Sequence, residues 1–133
     1  MNDKIKVVLD TNILVSALWS ENNNQLKIIE LIPYIITPCI NDLMLLEYNN
    51  VLKRPKFNFS PHKRKMLLLK IKEYSEIVLP NKSNIHMTDE SDRIFYDTAK
   101  TSDSILITGN LKHFPNETFI MNSIEFLNKL NII

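Results

Sequence analysis

Glycine and cysteine are almost absent from this chain, which has one of each in 133 residues. A Rossmann fingerprint and a P-loop both need several glycines where backbone approaches phosphate, so nucleotide binding of those kinds is excluded. The single cysteine, Cys39, excludes a disulfide within the chain and a zinc site built from several thiolates. We therefore expect a reducing, cytoplasmic setting, with Cys39 as a buried small apolar residue.

Long apolar runs and an excess of one charge are also missing. No stretch is long and apolar enough to cross a bilayer and no signal peptide is evident, so no membrane association is predicted. The formal net charge of +1 gives no global sign of a nucleic-acid partner, although a local basic face would be enough to bind one. The length favours a single domain over residues 1–133.

The most informative stretch is the apolar run Ile5–Leu9, which ends in Asp10 and is followed by a helical pattern from Thr11. Such a run is typical of a buried parallel strand. In open α/β sheets, ligands bind at the carboxyl ends of the strands. The sequence therefore places Asp10 where an α/β protein carries its chemistry.

Strands and helices alternate along the rest of the chain. We predict further strands at residues 34–37, 76–79, 104–108 and 118–121, with Pro38 closing the second strand and Ser123 capping the final helix. Alternation of this kind is typical of a parallel sheet that is covered on both faces. The predicted fold is a three-layer α/β/α sandwich with a central, mostly parallel sheet of about five strands.

Two further acids make a candidate cation site with Asp10: Glu47 on a predicted helix and Asp92 at the start of another. Mg²⁺ and Mn²⁺ prefer oxygen ligands, and Mg²⁺ is typically held by a few carboxylates plus water. Each acid also has a simpler interpretation. Asp10 and Asp92 would suit a helix N-terminus, and Glu47 would suit a solvated helix face. The pattern alone leaves both interpretations open.

Ordered segments of the chain resemble PIN-domain ribonucleases. Residues 8–17 resemble the opening motif of that family, residues 45–52 resemble the helix with its second acid, and residues 89–115 resemble its third and fourth elements. The order and spacing of the segments match the family over nearly the whole chain. The chain most resembles the PIN proteins that are toxin components of toxin–antitoxin pairs.

This resemblance implies an endoribonuclease that uses Mg²⁺ or Mn²⁺ to cleave single-stranded RNA. The catalytic metal ligands that it implies are Asp10, Glu47 and Asp92. Asn12 and Thr108 would support them by hydrogen bonding, and Asp89 would be an outer acid. The resemblance also implies a cognate antitoxin as a protein partner and suggests a homodimer through the apolar surfaces of the early helices.

Asn110 is a departure from the family pattern, because many PIN domains carry an acid after the Thr-Gly pair. An amide oxygen can bind a cation or hold a water but adds no charge, which puts a second metal ion in question. Asn110 therefore supports an alternative, a weak or inactive PIN-fold module that binds RNA or protein. A phospho-accepting receiver domain fits poorly, because it needs paired acids after the first strand and a lysine after a late one.

The densest basic region comprises Lys53, Arg54, Lys56, His62, Lys63, Arg64 and Lys65. This region is a candidate rim for the phosphates of single-stranded RNA, and Lys63, Arg64 and Lys65 are the residues predicted to bind them. A solvated helix end is the simpler interpretation of the same residues. The histidines, among them His113, are scattered without zinc spacing and are expected on the surface or in loops.

Overall fold

The computed structural model describes residues 3–133, in which five parallel strands form one sheet in the order β3-β2-β1-β4-β5. The elements in chain order are β1 (Ile5–Leu9), α1 (Thr11–Trp19), α2 (Asn24–Glu30), β2 (Ile36–Ile40), α3 (Asp42–Leu52), α4 (Pro61–Tyr74), β3 (Glu76–Ile77), α5 (Arg93–Ser102), β4 (Ile105–Ile107), β5 (Ile120–Met121) and α6 (Ser123–Lys129). The predicted α/β/α fold is confirmed. Among the helices of residues 3–133, none has the length and apolarity to span a membrane.

The central strand β1 forms because its last three residues are apolar and are covered on both faces of the sheet. Val7, Val8 and Leu9 are almost completely buried. Burial of a side chain of this size contributes about 1.5–3 kcal/mol relative to leaving it in water. The strand is covered by helices whose own apolar positions complete the core, among them Tyr48 of α3 and Phe95 of α5, which stack with ring centroids 6.1 Å apart.

The direction of the strand order changes between β1 and β4. From β1 the chain proceeds outward to β2 and β3, and it then returns to place β4 and β5 on the other side. Leu9 is paired with Ile107, so the residues that follow, Asp10 and Thr108, leave the sheet side by side. A crevice at such a switch point is the usual ligand site of an open α/β sheet.

Two local predictions were wrong. Pro38 does not close β2 but lies within it, opposite Val7. It is tolerated because β2 pairs with β3 only from Cys39 onward, so at Pro38 the strand has a partner on one side only. The final helix is capped by Asn122, not Ser123, through a capping box with Glu125.

The outer strands β3 and β5 are also shorter than predicted. Each contributes two residues to the sheet, Glu76–Ile77 and Ile120–Met121. Apolar residues beside them continue in extended chain and still touch the core, as Val78 does, with its backbone N–H 2.8 Å from the carbonyl of Ile40. Cys39 is completely buried, as predicted.

Candidate active site

Asp10 is the N-cap of α1 and is held at the end of β1 by hydrogen bonds. Its Oδ1 accepts from the backbone N–H of Thr11 at 2.8 Å. Its Oδ2 accepts from Asn12 Nδ2 at 3.0 Å and from the hydroxyl of Thr108 at 2.8 Å. Asp10 is 5% exposed, and this burial raises the pKa of its carboxyl although the hydrogen bonds oppose the rise. The carboxylate is thus fixed in orientation.

The loop after β4 is hydrogen-bonded to Asn12 and Thr108, the two residues that orient Asp10. The backbone N–H of Gly109 donates to Asn12 Oδ1 at 2.8 Å, and that of Asn110 donates to Thr108 Oγ1 at 2.9 Å. A Cβ on Gly109 would lie 3.2 Å from Asn12 Oδ1, which is tighter than a relaxed contact. The single glycine of the chain therefore permits the close approach of this loop to α1.

A cleft of about 330 Å³ opens at the carboxyl edge of the sheet. It is lined by residues from α1, α3, the segment before α5 and the loop after β4. These residues include Asp10, Asn12, Glu47, Asp89, Asp92 and Asn110. Six polar side chains that were singled out in the sequence therefore share one cleft, although they come from four separate segments of the chain.

Asp92 is the acid most affected by its neighbours. It ends a 3₁₀ turn, Glu90–Asp92, and its side chain is 14% exposed. Burial and the negative charges of Asp10 and Asp89 raise the pKa of Asp92 to about 6, and the adjacent His113 opposes the rise. His113 Nδ1 lies 3.3 Å from Asp92 Oδ2. Burial is the largest cause of this rise in the pKa of Asp92, and repulsion from the two neighbouring carboxylates adds to it.

Glu47 and Asp89 are the other two acids that line the cleft. Glu47 is half-buried on α3, where the neighbouring Tyr48 anchors the helix by donating a 2.6 Å hydrogen bond to the carbonyl of Leu9. Asp89 is exposed and accepts from the backbone N–H and hydroxyl of Ser91, which lowers the pKa of its carboxyl. Asp89 therefore caps the 3₁₀ turn that carries Asp92.

Within residues 3–133, no group of three or more His, Cys, Asp or Glu side chains could hold a metal ion in the arrangement that the structure shows. Asp92 Oδ2 is one of four buried side-chain atoms of the described residues that lack a hydrogen bond of good geometry. Its contact with His113 Nδ1 at 3.3 Å is an ion pair only when the imidazole is protonated. A cation beside that oxygen would compensate its burial.

Lys63, Arg64 and Lys65 are not among the described residues that line this cleft. Arg64 and Lys65 instead line a separate groove of about 610 Å³ between α3 and α4. Their proposed contact with RNA stays a prediction.

Sequence reasoning gave no site role to Phe57 and His113, which line the cleft, and it gave Arg54 only a place in the candidate phosphate-binding rim. Nothing in the sequence distinguishes Arg54 from the other cations of the basic region. His113 lies in a loop, as expected, yet that loop folds back onto Asp92, 21 positions away. The one indication in the sequence that His113 lies near the site was its position in the segment 105–115, which resembles a PIN motif.

Comparisons with known proteins agree with this architecture. A model of the PIN domain matches residues 6–112. The chain is 35% identical over 119 residues to the uncharacterized protein MJ1680 of Methanocaldococcus jannaschii, which covers 80% of this chain and 72% of that protein.

Two solved structures share the fold. The crystal structure of VapBC2 from Rickettsia felis, bound to a DNA fragment from its promoter, aligns with a TM-score of 0.57 at 20% identity, over 89% of this chain and 97% of that one. The crystal structure of PAE2754 from Pyrobaculum aerophilum aligns with a TM-score of 0.52 at 14% identity, over 97% and 91% of the two chains. At these identities the likeness concerns the fold alone.

Proposed function

Because the chain belongs to the PIN domain family, we propose that it is a divalent-metal-dependent endoribonuclease that cleaves single-stranded RNA. PIN domains are generally nucleases. The observation that carries the proposal is the presence of Asp10, Glu47 and Asp92 in one cleft at the carboxyl edge of the sheet. These acids are far apart in the sequence, so the fold alone makes them neighbours.

Mg²⁺ or Mn²⁺ fits the donors of this cleft by type, since carboxylate and amide oxygens are the ligands that these ions prefer. Asp10, Glu47 and Asp92 would hold the ion. When bound, it would lower the pKa of a water and offset the charge of the phosphate. The burial and the repulsion that raise the pKa of Asp92 would both be offset by the same positive charge. Since no three-acid group is preassembled within residues 3–133, water would supply part of the coordination of the ion.

The other polar residues of the cleft orient the acids and receive the phosphate. Thr108 and Asn12 fix Oδ2 of Asp10, so this carboxylate needs little rearrangement. Arg54 would place a positive charge beside a phosphate oxygen, and His113 would do so when protonated. Their positive charges would offset part of the repulsion between an anionic substrate and an acidic cleft.

A toxin–antitoxin role extends the proposal to a partner. The structural neighbour from Rickettsia felis is named as a VapBC2 complex on DNA from its own promoter. For the present chain we propose a small cognate antitoxin that blocks the cleft, and a homodimer as the assembled form. A gene for a small DNA-binding protein directly beside this one would support the toxin role.

The second candidate function is a PIN-fold module that binds RNA or protein without cleaving it. Asn110 favours it, because this amide lines the cleft and adds no negative charge. The lack of a preassembled three-acid group in residues 3–133 favours it as well. Calorimetric titration with Mn²⁺ separates the two functions, since a nuclease must bind the ion and a decayed site should give no binding heat.

The experiment that tests the proposed activity is incubation of the purified protein with internally labelled single-stranded RNA. We expect internal cleavage with Mn²⁺ or Mg²⁺ and intact RNA in excess chelator. Cleavage that continues in chelator would contradict the metal requirement. Intact RNA under every metal condition, with Mn²⁺ bound, would instead point to the binding module.

A further inference from the structure

Three aromatic side chains form a cluster beside the carboxylate cleft: Trp19 at the end of α1, and Phe57 and Phe59 in the segment between α3 and α4. The rings of Phe57 and Phe59 stack with centroids 5.3 Å apart and planes 13° apart. The ring of Trp19 meets both edge-on, at 5.6 and 5.7 Å. Phe57 also lines the carboxylate cleft, so this aromatic cluster and the candidate active site are continuous.

The aromatic cluster is more exposed than a structural role requires. Phe59 packs against the hydrophobic core, which is enough to anchor the segment. Trp19 is 62% exposed and Phe57 is half-buried, and neither belongs to the core cluster. Between the two phenylalanines, Asn58 adopts a left-handed conformation with φ of 51°. Asparagine tolerates that conformation better than most residues, and this turn lets the two flanking rings stack.

Two cations lie beside Phe57 in the aromatic cluster. Lys56 Nζ lies 5.2 Å from the centroid of the Phe57 ring, and Arg54 lines the cleft next to Phe57. Aromatic rings that alternate with basic side chains are the usual surface for single-stranded nucleic acid, because bases stack on the rings while phosphates meet the cations. A wholly apolar partner would not need the cations, and a purely anionic one would not need the rings.

We propose that Trp19 and Phe57 form a stacking platform for an unpaired nucleobase adjacent to the phosphate that enters the carboxylate cleft. The proposal rests on the proposed function and specifies its substrate. A base within a duplex is already stacked on its neighbours and cannot spread onto this platform without unstacking. The platform therefore selects single-stranded RNA, and its tolerance of any base predicts weak sequence preference at that position.

Trp19 provides a direct probe, because it is the only tryptophan of the chain. Wild-type protein in chelator, or the Asp10→Asn variant with Mn²⁺, is titrated with a short single-stranded RNA and with an abasic oligonucleotide of equal length. We expect the RNA to quench Trp19 fluorescence and the abasic chain to leave it nearly unchanged. A duplex of the same sequence should also fail to quench.

Anisotropy of end-labelled RNA gives the affinity independently. Phe57→Ala should weaken binding by roughly 5- to 150-fold, the range measured when a stacking aromatic is replaced by alanine. Phe57→Leu keeps an apolar side chain in the segment and should show the same direction of change if the alanine variant folds poorly. Tyr34→Ala, at an aromatic that is 80% exposed and lies outside the cluster and the cleft, is the matched control and should leave the affinity unchanged.

The failures of the two proposals are distinguishable. RNA that is bound and cleaved without quenching Trp19, and with normal affinity in both Phe57 variants, would overturn the platform and leave the nuclease intact. RNA that gives neither an anisotropy change nor cleavage would overturn both. A dimer that dissociates in Trp19→Ala, with unchanged RNA affinity, would show that a second copy of the chain covers the aromatic cluster and would overturn the platform.

Discussion

The hydroxyl of Thr108 donates a 2.8 Å hydrogen bond to Oδ2 of Asp10, across 98 positions of sequence. The same hydroxyl accepts the backbone N–H of Asn110 at 2.9 Å. One buried side chain therefore sets the position of the candidate metal ligand at the end of β1 and the path of the loop after β4. The hydroxyl of Thr108 therefore connects the end of β1 with the loop that follows β4.

Thr108→Val tests that bond, because valine keeps the shape and removes the hydroxyl. We expect a loss of about 1–3 kcal/mol in the free energy of unfolding, since a buried carboxylate oxygen loses a donor and the Asn110 N–H loses its acceptor. The loss is measured by urea denaturation at neutral pH. Thr108→Ser keeps the hydroxyl and is the control, so equal losses in the two variants would show that the bond contributes little.

Asp92→Asn should change how stability depends on pH. Burial and the charges of Asp10 and Asp89 raise the folded-state pKa of Asp92 from its ordinary value of 3.8 to about 6. The folded protein thus holds a proton that the unfolded chain has released, and Asp92 destabilises the fold increasingly as pH rises from about 4 to above 6. His113, whose charge faces Asp92, reduces the effect but does not reverse it.

In chelator at pH 8, we therefore expect Asp92→Asn to melt about 3–8 °C higher than wild type. The difference should shrink as pH falls towards 4, where the wild-type carboxyl is protonated in the folded protein. Melting curves at pH 8, 6 and 4.5 measure this. A difference in melting temperature that is constant over this range would show that the charge of Asp92 is not what destabilises the fold.

Asn110→Asp adds a negative charge to the cleft at nearly constant shape. We expect tighter Mn²⁺ binding by calorimetry, a lower Mn²⁺ requirement for cleavage and a lower melting temperature in chelator, because crowded carboxylates repel one another. Asn49→Asp, an exposed residue that lines the separate groove between α3 and α4, makes the same chemical change and should leave Mn²⁺ affinity unaltered. If Asn110→Asp changes neither metal affinity nor melting temperature, Asn110 does not face the carboxylates.

Two sets of basic residues are compared through the salt dependence of RNA binding. Arg54→Gln should weaken binding and reduce the slope of log affinity against log salt by about 0.7, the value for one lost phosphate contact on a single strand. The triple change of Lys63, Arg64 and Lys65 to Gln should have a smaller effect on affinity, since these residues do not line the cleft. An unchanged slope in the triple variant would mean that they form only a solvated helix face.

The strand that positions the site could be predicted because its signal is local. Four apolar residues, three of them β-branched, interrupted only by Lys6 and followed by Asp10 and a helical pattern, fix both β1 and the start of α1. The edges of the sheet could not be placed in the same way. Pro38 is compatible with β2 only because β3 is short and pairs from Cys39 onward, and this depends on a strand that lies far along the chain.

Some residues of the cleft could likewise be predicted from the sequence, and others could not. Asp10, Glu47 and Asp92 were named from ordered motifs, and the structure places all three in the cleft, while their role as metal ligands stays a proposal. The contact between His113 and Asp92 and the position of Phe57 depend on how two loops fold back over the sheet edge. The direction of a loop produces no periodic pattern in the sequence, so only the structure shows that these residues lie in the cleft.

The most direct test of a carboxylate-centred nuclease compares Asp10→Asn with wild type in the Mn²⁺-dependent cleavage of labelled RNA. Asparagine can still accept the N–H of Thr11, so melting curves should show a folded protein. The cleavage rate should fall by at least about 100-fold, because a charged ligand is lost where the cation must bind. Asp103→Asn, at the exposed C-terminal end of α5, is the matched control and should keep the full rate. Asp10→Asn protein that folds and cleaves RNA at the wild-type rate would contradict the account.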